Sequence, residues 1–163
     1  MGSFRAAAIV AATATIATGV DLWTKAVAGD RLSDGSVHAV LPGLDLRLAF
    51  NRGISFSLFP AHAPMSLAIL LGFQGVITGI VAWLAFRAVG SAERLGLAFV
   101  SGGALGNLLD RWRHGGVTDF LDLHPAGVTW FTFNLADAWI SLGVVLLVRD
   151  AAMTSRDHVR GRA

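Results

Sequence analysis

The chain has 163 residues, 54% of them hydrophobic and only 15% charged, with a net charge of +2 and a mean hydropathy of +0.61. That balance predicts an α-helical, polytopic membrane protein built as one domain, with room for about four spans of roughly 20 residues each. So small a basic excess gives no case for nucleic acid, and the absence of Cys excludes disulfides, a thiolate nucleophile and thiolate metal sites.

Residues 6–20 are all Ala, Ile, Val, Thr or Gly, with Arg5 ahead and Asp21, Trp23 and Lys25 behind. Two readings fit: a first span, or a signal peptide cleaved near Ala26-Val27-Ala28. Asp21 and Lys25 stand at i, i+4, the spacing of a helical ion pair, so we expect a retained span over about 6–28 with these two charges as a structural pair. Residues 29–64 are the one long polar segment and belong outside the bilayer. Within it Val37–Leu41 and residues 44–50 read as short strands turned by Pro42-Gly43. Residues 51–59, NRGISFSLF, lead from a polar anchor into an apolar piece suited to the membrane interface.

Residues 65–86 form a second span whose one strongly polar residue is Gln74, and Gly75 and Gly79 have the spacing of close helix approach. A third span, about 94–111, carries Gly102, Gly103 and Gly106 on a small-residue face and ends at Asp110. Residues 112–132 return outside, with a strand at Val117–Leu123 and with Trp112 and Trp130 at interfacial positions. The fourth span is expected over about 133–150, followed by a mobile cytoplasmic tail, 151–163. With both ends inside, seven basic residues face the cytoplasm against six outside, and four of the seven, Arg149, Arg156, Arg160 and Arg162, cluster at the end of the last span and in the tail, which favours this orientation.

Asn107-Leu-Leu-Asp110-Arg111 and Asn134-Leu-Ala-Asp137 each place an Asn three residues before an Asp, a spacing that shares one face of a helix. If the third span ends near Arg111 and the fourth begins near Phe133, the two run antiparallel and bring Asp110 and Asp137 to the same depth. Two close carboxylates do not both ionise easily, so one can take a proton from water while its protonated neighbour polarises a carbonyl. Asn107 and Asn134 would orient the acids, and Arg111 would offset negative charge. The same residues also fit a helix cap at Asn134 or Asp137, an interfacial ion pair at Asp110 and Arg111, and polar links between helices. The five His are scattered and no Gly-x-Ser-x-Gly elbow is present, so neither a metal nor a Ser nucleophile is expected. Two other classes compete: a transporter relaying ions through Asp21, Asp110 and Asp137, which calls for acids spread through membrane depth, and a non-catalytic scaffold.

Five pieces in order resemble the lipoprotein signal peptidases (signal peptidase II), bacterial membrane aspartyl peptidases. They are Asp21-Leu-Trp-Thr-Lys25, Asn51-Arg-Gly53-Ile-Ser-Phe56, Gly102-Gly-Ala-Leu-Gly-Asn107-Leu-Leu-Asp110-Arg111, Gly116-Val-Thr-Asp119-Phe120 and Phe133-Asn134-Leu-Ala136-Asp137. The resemblance implies four transmembrane helices with a small extracytoplasmic β-sheet platform, and removal of the signal peptide from diacylglyceryl-modified prolipoproteins before the lipidated Cys. It puts the catalytic acids on Asp110 and Asp137, with Asn51, Gly53, Phe56, Asn107, Arg111, Asp119, Asn134 and Ala136 in binding or supporting places. No cofactor is implied. Membrane lipids are the surroundings, cyclic peptide inhibitors of the family's kind are a further ligand class, and a monomer is expected. The implied location is the bacterial cytoplasmic (inner) membrane, with the site near the extracytoplasmic face. One departure is Ser55, where the family often has Ala.

Overall fold

A computed structural model describes residues 2–53, 64–128 and 130–160. It is mostly helical, with α1 (Gly2–Arg31), α2 (Pro64–Arg87), α3 (Ser91–His114) and α4 (Leu135–Arg160). A small antiparallel sheet of β1 (Val37–Leu41), β2 (Leu44–Asn51), β3 (Val117–Leu123) and β4 (Phe131–Phe133) runs in that spatial order.

The hairpin of β1 and β2 turns at Pro42-Gly43. Gly43 takes φ +83°, a left-handed conformation open to a residue without Cβ, and the strands meet at Leu41 and Leu44. Gly115 does the same at the end of α3: with φ +72° it donates its N–H to the Arg111 carbonyl and releases the chain into β3. β3 then pairs with β2, Ala49 opposite Asp119, across an irregularity between Leu46 and Ala49. Under the sheet, Ala28 and Leu32 of α1 pack with Phe120, flanked by Leu46, Leu48, Leu121 and Leu135.

Helix α3 is the hub and packs against the other three helices. Its glycines make this possible. A Cβ on Gly102 would stand 2.8 Å from the Ala14 carbonyl of α1, and one on Gly106 would stand 2.5 Å from Asp21 Oδ2. On the side of α4, Gly96 and Gly143 press on each other's carbonyls, and Gly103 lies against the Ala136 carbonyl. Thr18 Oγ1 donates to the Gly102 carbonyl at 2.8 Å and pins α1 in place.

Among the described residues two helices are long and apolar enough to cross a membrane, Phe4–Arg31 and Met65–Arg87. The second leaves Ile69, Phe73, Val76, Ile80 and Trp83 exposed, a continuous apolar face that water would not favour.

Three expectations need correction. The fourth helix begins at Leu135, because Phe131–Phe133 pairs with Leu121–Leu123 as β4. It then runs to Arg160, through ten residues that expectation assigned to a mobile tail; they hold no Gly or Pro, and Ala, Met and Arg favour helix. A Cβ on Gly75 would reach only Leu108, at 4.0 Å, and one on Gly79 would have nothing within 4 Å, so close approach belongs to the α3 glycines alone of the two expected sets.

Candidate active site

The polar residues converge where the end of α3, the start of α4 and the later part of α1 meet β2 and β3. Asn134, fully buried, caps α4: its Oδ1 accepts from Asp137 N at 3.1 Å, and Asp137 Oδ2 accepts from Asn134 N at 3.2 Å. This reciprocal capping box satisfies two helix-end donors and fixes the Asp137 side chain. The remaining end of the Asn134 amide, Nδ2, donates to Asp119 Oδ1 at 2.6 Å. One Asn thus orients two acids.

Asp137 is also held from α3, where Asn107 Nδ2 donates to its Oδ1 at 3.0 Å. Asn107 is oriented in turn by Lys25 Nζ, which donates to its Oδ1 at 2.7 Å. The expected pair of Asp21 and Lys25 forms, at 2.8 Å, and does more: Asp21 Oδ1 accepts from Ala136 N at 2.8 Å, fastening the first turn of α4 to α1. Asp21 is 0% and Lys25 4% exposed, so neither can lose its partner cheaply.

A cavity of about 570 Å³ opens over this network. Asn51, Asn107, Arg111, Asp119 and Asp137 supply its polar lining, with Gln74 from α2. Gly53 lines it too and donates its N–H to Asn51 Oδ1 at 3.1 Å. The apolar wall comes from Leu70, Phe73 and Ile77 of α2, one face of that helix, and from Val117, Phe131 and Phe133. Burial pushes the Asp119 carboxyl up from 3.8 to about 6. Hydrogen bonds from Asn134 and Asn51 and the Lys25 charge oppose that rise, while the neighbouring Asp137 charge adds to it. Two interacting carboxyl groups beside a guanidinium, above an apolar wall, can take one proton from water and give another to a carbonyl.

Asp110 is not part of that lining. Its Oδ2 accepts from Thr118 N at 2.7 Å, its Oδ1 meets His114 Nδ1 at 2.7 Å, and Lys25 Nζ stands 3.6 Å away. It faces a separate cavity of about 480 Å³ together with Lys25, Arg113, His114 and Thr118. The expected meeting of Asp110 with Asp137 is therefore replaced by that of Asp119 with Asp137. The cause is strand alternation: Val117 and Asp119 turn to one cavity and Thr118 to the other, carrying Asp110 with it. The structure gathers Asn51, Gly53, Asn107, Arg111, Asp119, Asn134 and Asp137 at one place, with Ala136 beneath them. Phe56 and Ser55 lie outside the described residues. Sequence reasoning passed over Gln74 and the β4 residues as lining. A lone polar residue in an apolar span was the signal for the first, and three residues of strand gave none for the second.

A profile of the family described as Signal peptidase (SPase) II matches residues 13–153. A lipoprotein signal peptidase of Rhodopseudomonas palustris (strain TIE-1) is 38% identical over 146 residues, covering 85% of this chain and 88% of the relative. Another, from Azoarcus sp. (strain BH72), is 40% identical over 134 residues, covering 80% and 74%. In fold, the chain is similar to a bacterial membrane enzyme solved in meso at 1.9 Å, with TM-score 0.76, 22% identity, and 88% and 92% of the two chains covered. The chain therefore belongs to the signal peptidase II family of membrane peptidases.

Proposed function

We propose that this chain is an aspartyl endopeptidase that removes the signal peptide from diacylglyceryl-modified prolipoproteins, cutting before the lipidated Cys, with Asp119 and Asp137 as the reacting pair. The observation that carries this assignment is the shared cavity: Asp119 and Asp137 both line it, are tied through Asn134 and interact through their charges, whereas Asp110 is engaged elsewhere.

In this reading α1 to α4 all cross the bacterial inner membrane, both termini are cytoplasmic, and the cavity opens near the extracytoplasmic face. The enzyme works as a monomer in lipid. The substrate enters sideways, its apolar signal segment against Leu70, Phe73 and Ile77, and a cyclic peptide inhibitor of the family's kind would compete for the same space. Asp119, with its raised pKa, starts with the pair's proton. Water attacks the scissile carbonyl carbon, giving a proton to Asp137, while the Asp119 proton passes to the carbonyl oxygen. Arg111 offsets charge that develops there. As the intermediate collapses, the C–N bond breaks, Asp137 returns its proton to the leaving amine, and Asp119 recovers one from a hydroxyl of the intermediate.

The test is cleavage of a purified diacylglyceryl-modified prolipoprotein by wild type and by folded Asp119→Asn, Asp137→Asn and Asp110→Asn. The first two should lose about a hundredfold or more, the scale of general acid and base catalysis. Folded Asp110→Asn should stay within about tenfold of wild type, since it touches no reacting atom. Near-normal rates for Asp119→Asn, with loss in folded Asp110→Asn, would return the catalytic role to Asp110.

A further inference from the structure

Gln74 is the one strongly polar side chain in the apolar run of α2, and the reaction above gives it no task. Its amide is used at both ends. Arg111 Nη1 donates to Gln74 Oε1 at 2.5 Å, and Gln74 Nε2 donates to the Ala104 carbonyl at 3.4 Å, two turns earlier on α3. The second bond decides which way the amide faces, since a flipped amide would turn its N–H groups on a guanidinium that can only donate. Arg111 is 8% exposed, and its Nε has no hydrogen-bond partner among the described residues. The guanidinium lines the cavity while its Nε is buried within the protein, and its orientation depends on what holds Nη1.

We propose that Gln74 is a positioning residue for peptide cleavage, holding the Arg111 guanidinium from α2 so that its charge faces the bond being cut. This rests on the peptidase reading of the Asp119 and Asp137 cavity. A fixed cation helps because it needs no reorganisation as charge develops on the carbonyl oxygen; one that must first be oriented loses that advantage. Helix α2 also supplies the wall of Leu70, Phe73 and Ile77, so the same element that would lie along the substrate sets the guanidinium.

The experiment compares kcat and KM for a lipidated prolipoprotein in wild type, Gln74→Met, Gln74→Glu, Arg111→Met and the double variant Gln74→Met with Arg111→Met, with melting in detergent as the check on folding. Gln74→Met should lower kcat by about tenfold with KM within about twofold, because it misplaces a group used in the transition state. Gln74→Glu keeps the acceptor and should recover most of kcat. In the Arg111→Met background, adding Gln74→Met should cost nothing more, since the residue it acts through is gone. Should Gln74→Met fail to fold, Gln74→Asn keeps the amide but withdraws it by one methylene and must show the same fall in kcat. An unchanged kcat in a folded variant, equal loss with Glu, or additive losses in the double variant would each overturn the proposal. A wild type that leaves the lipidated substrate uncut would instead sink the peptidase reading, and the role of Gln74 with it.

Discussion

Replacing Asp119 by Asn should stabilise the fold while stopping the reaction. The Asp119 carboxyl is 4% exposed and is pushed from 3.8 to about 6, first by burial and then by the nearby Asp137 charge. The folded chain holds this proton more tightly than the unfolded chain, so wild-type stability falls as pH rises from about 4 and the cost is complete above about 6. A tenfold difference in proton affinity between the two states corresponds to about 1.4 kcal/mol, so the cost reaches at most about 3 kcal/mol at neutral pH. Asn carries no charge and keeps an oxygen to accept from Asn134 Nδ2, so most of that cost is removed. Asp110→Asn should act with the opposite sign. It weakens the hold on Thr118 N, His114 and Lys25, at a cost of about 1–3 kcal/mol.

Thermal unfolding in detergent separates the two. At about pH 7.5, Asp119→Asn should melt above wild type by an amount worth about 1–3 kcal/mol, and the gap should narrow to about 1 kcal/mol or less at about pH 4.5, where folded wild type is mostly protonated. An Asp119→Asn variant less stable than wild type at neutral pH, with a gap indifferent to pH, would refute the reasoning: burial would not be straining that carboxyl, and Asp119 would lose its claim to hold the pair's proton.

The wild-type kcat/KM should fall as pH rises through about 6, because Asp119 then loses the proton it must donate. A profile flat from about pH 5 to about pH 8, measured on the lipidated substrate, would remove it as the acid. Gly106→Ala should cost about 1–3 kcal/mol in detergent melting, as its Cβ would stand 2.5 Å from Asp21 Oδ2, whereas Gly79→Ala, with nothing within 4 Å, should be neutral or slightly stabilising. Equal effects at the two sites would show that the glycines of α3 do not set the helix spacing.

Much of the fold was legible because its signals are local. Val37–Leu41 and Val117–Leu123 were bounded by turn residues, the hairpin announced itself in Pro42-Gly43, and the apolar runs marked four helices. What was missed depends on partners distant in sequence. Phe131–Phe133 is a strand only because β3 is there to receive it, and read alone it continues the apolar run of α4. The pairing of β2 with β3 joins segments on either side of two whole helices, and no pattern in either strand names the other.

The site shows the same division more sharply. Asn107 with Asp110 and Asn134 with Asp137 look like one motif used twice, yet they are two different local structures. Asn134 lies outside its helix as a cap, so its spacing to Asp137 is that of a capping box. Asn107 and Asp110 share one α-helix near its end, but Asn107 reaches across to Asp137 and leaves Asp110 to the turn beyond. Gly115-Gly116 marks that turn in the sequence, but not the face it gives each residue of β3. Gly116 packs so closely on Phe50 that a Cβ would stand 2.5 Å from the ring, which lets β3 fold back against the end of α3. Once it does, Thr118 must meet Asp110 and Asp119 must face the other way, since neighbours in a strand point to opposite sides. Two carboxylates nine residues apart in the chain are thereby sorted into an anchor and a cavity acid by one tight turn. The acid left facing the cavity is the one that burial pushes up to about 6, against the pull of Asn134, Asn51 and Lys25.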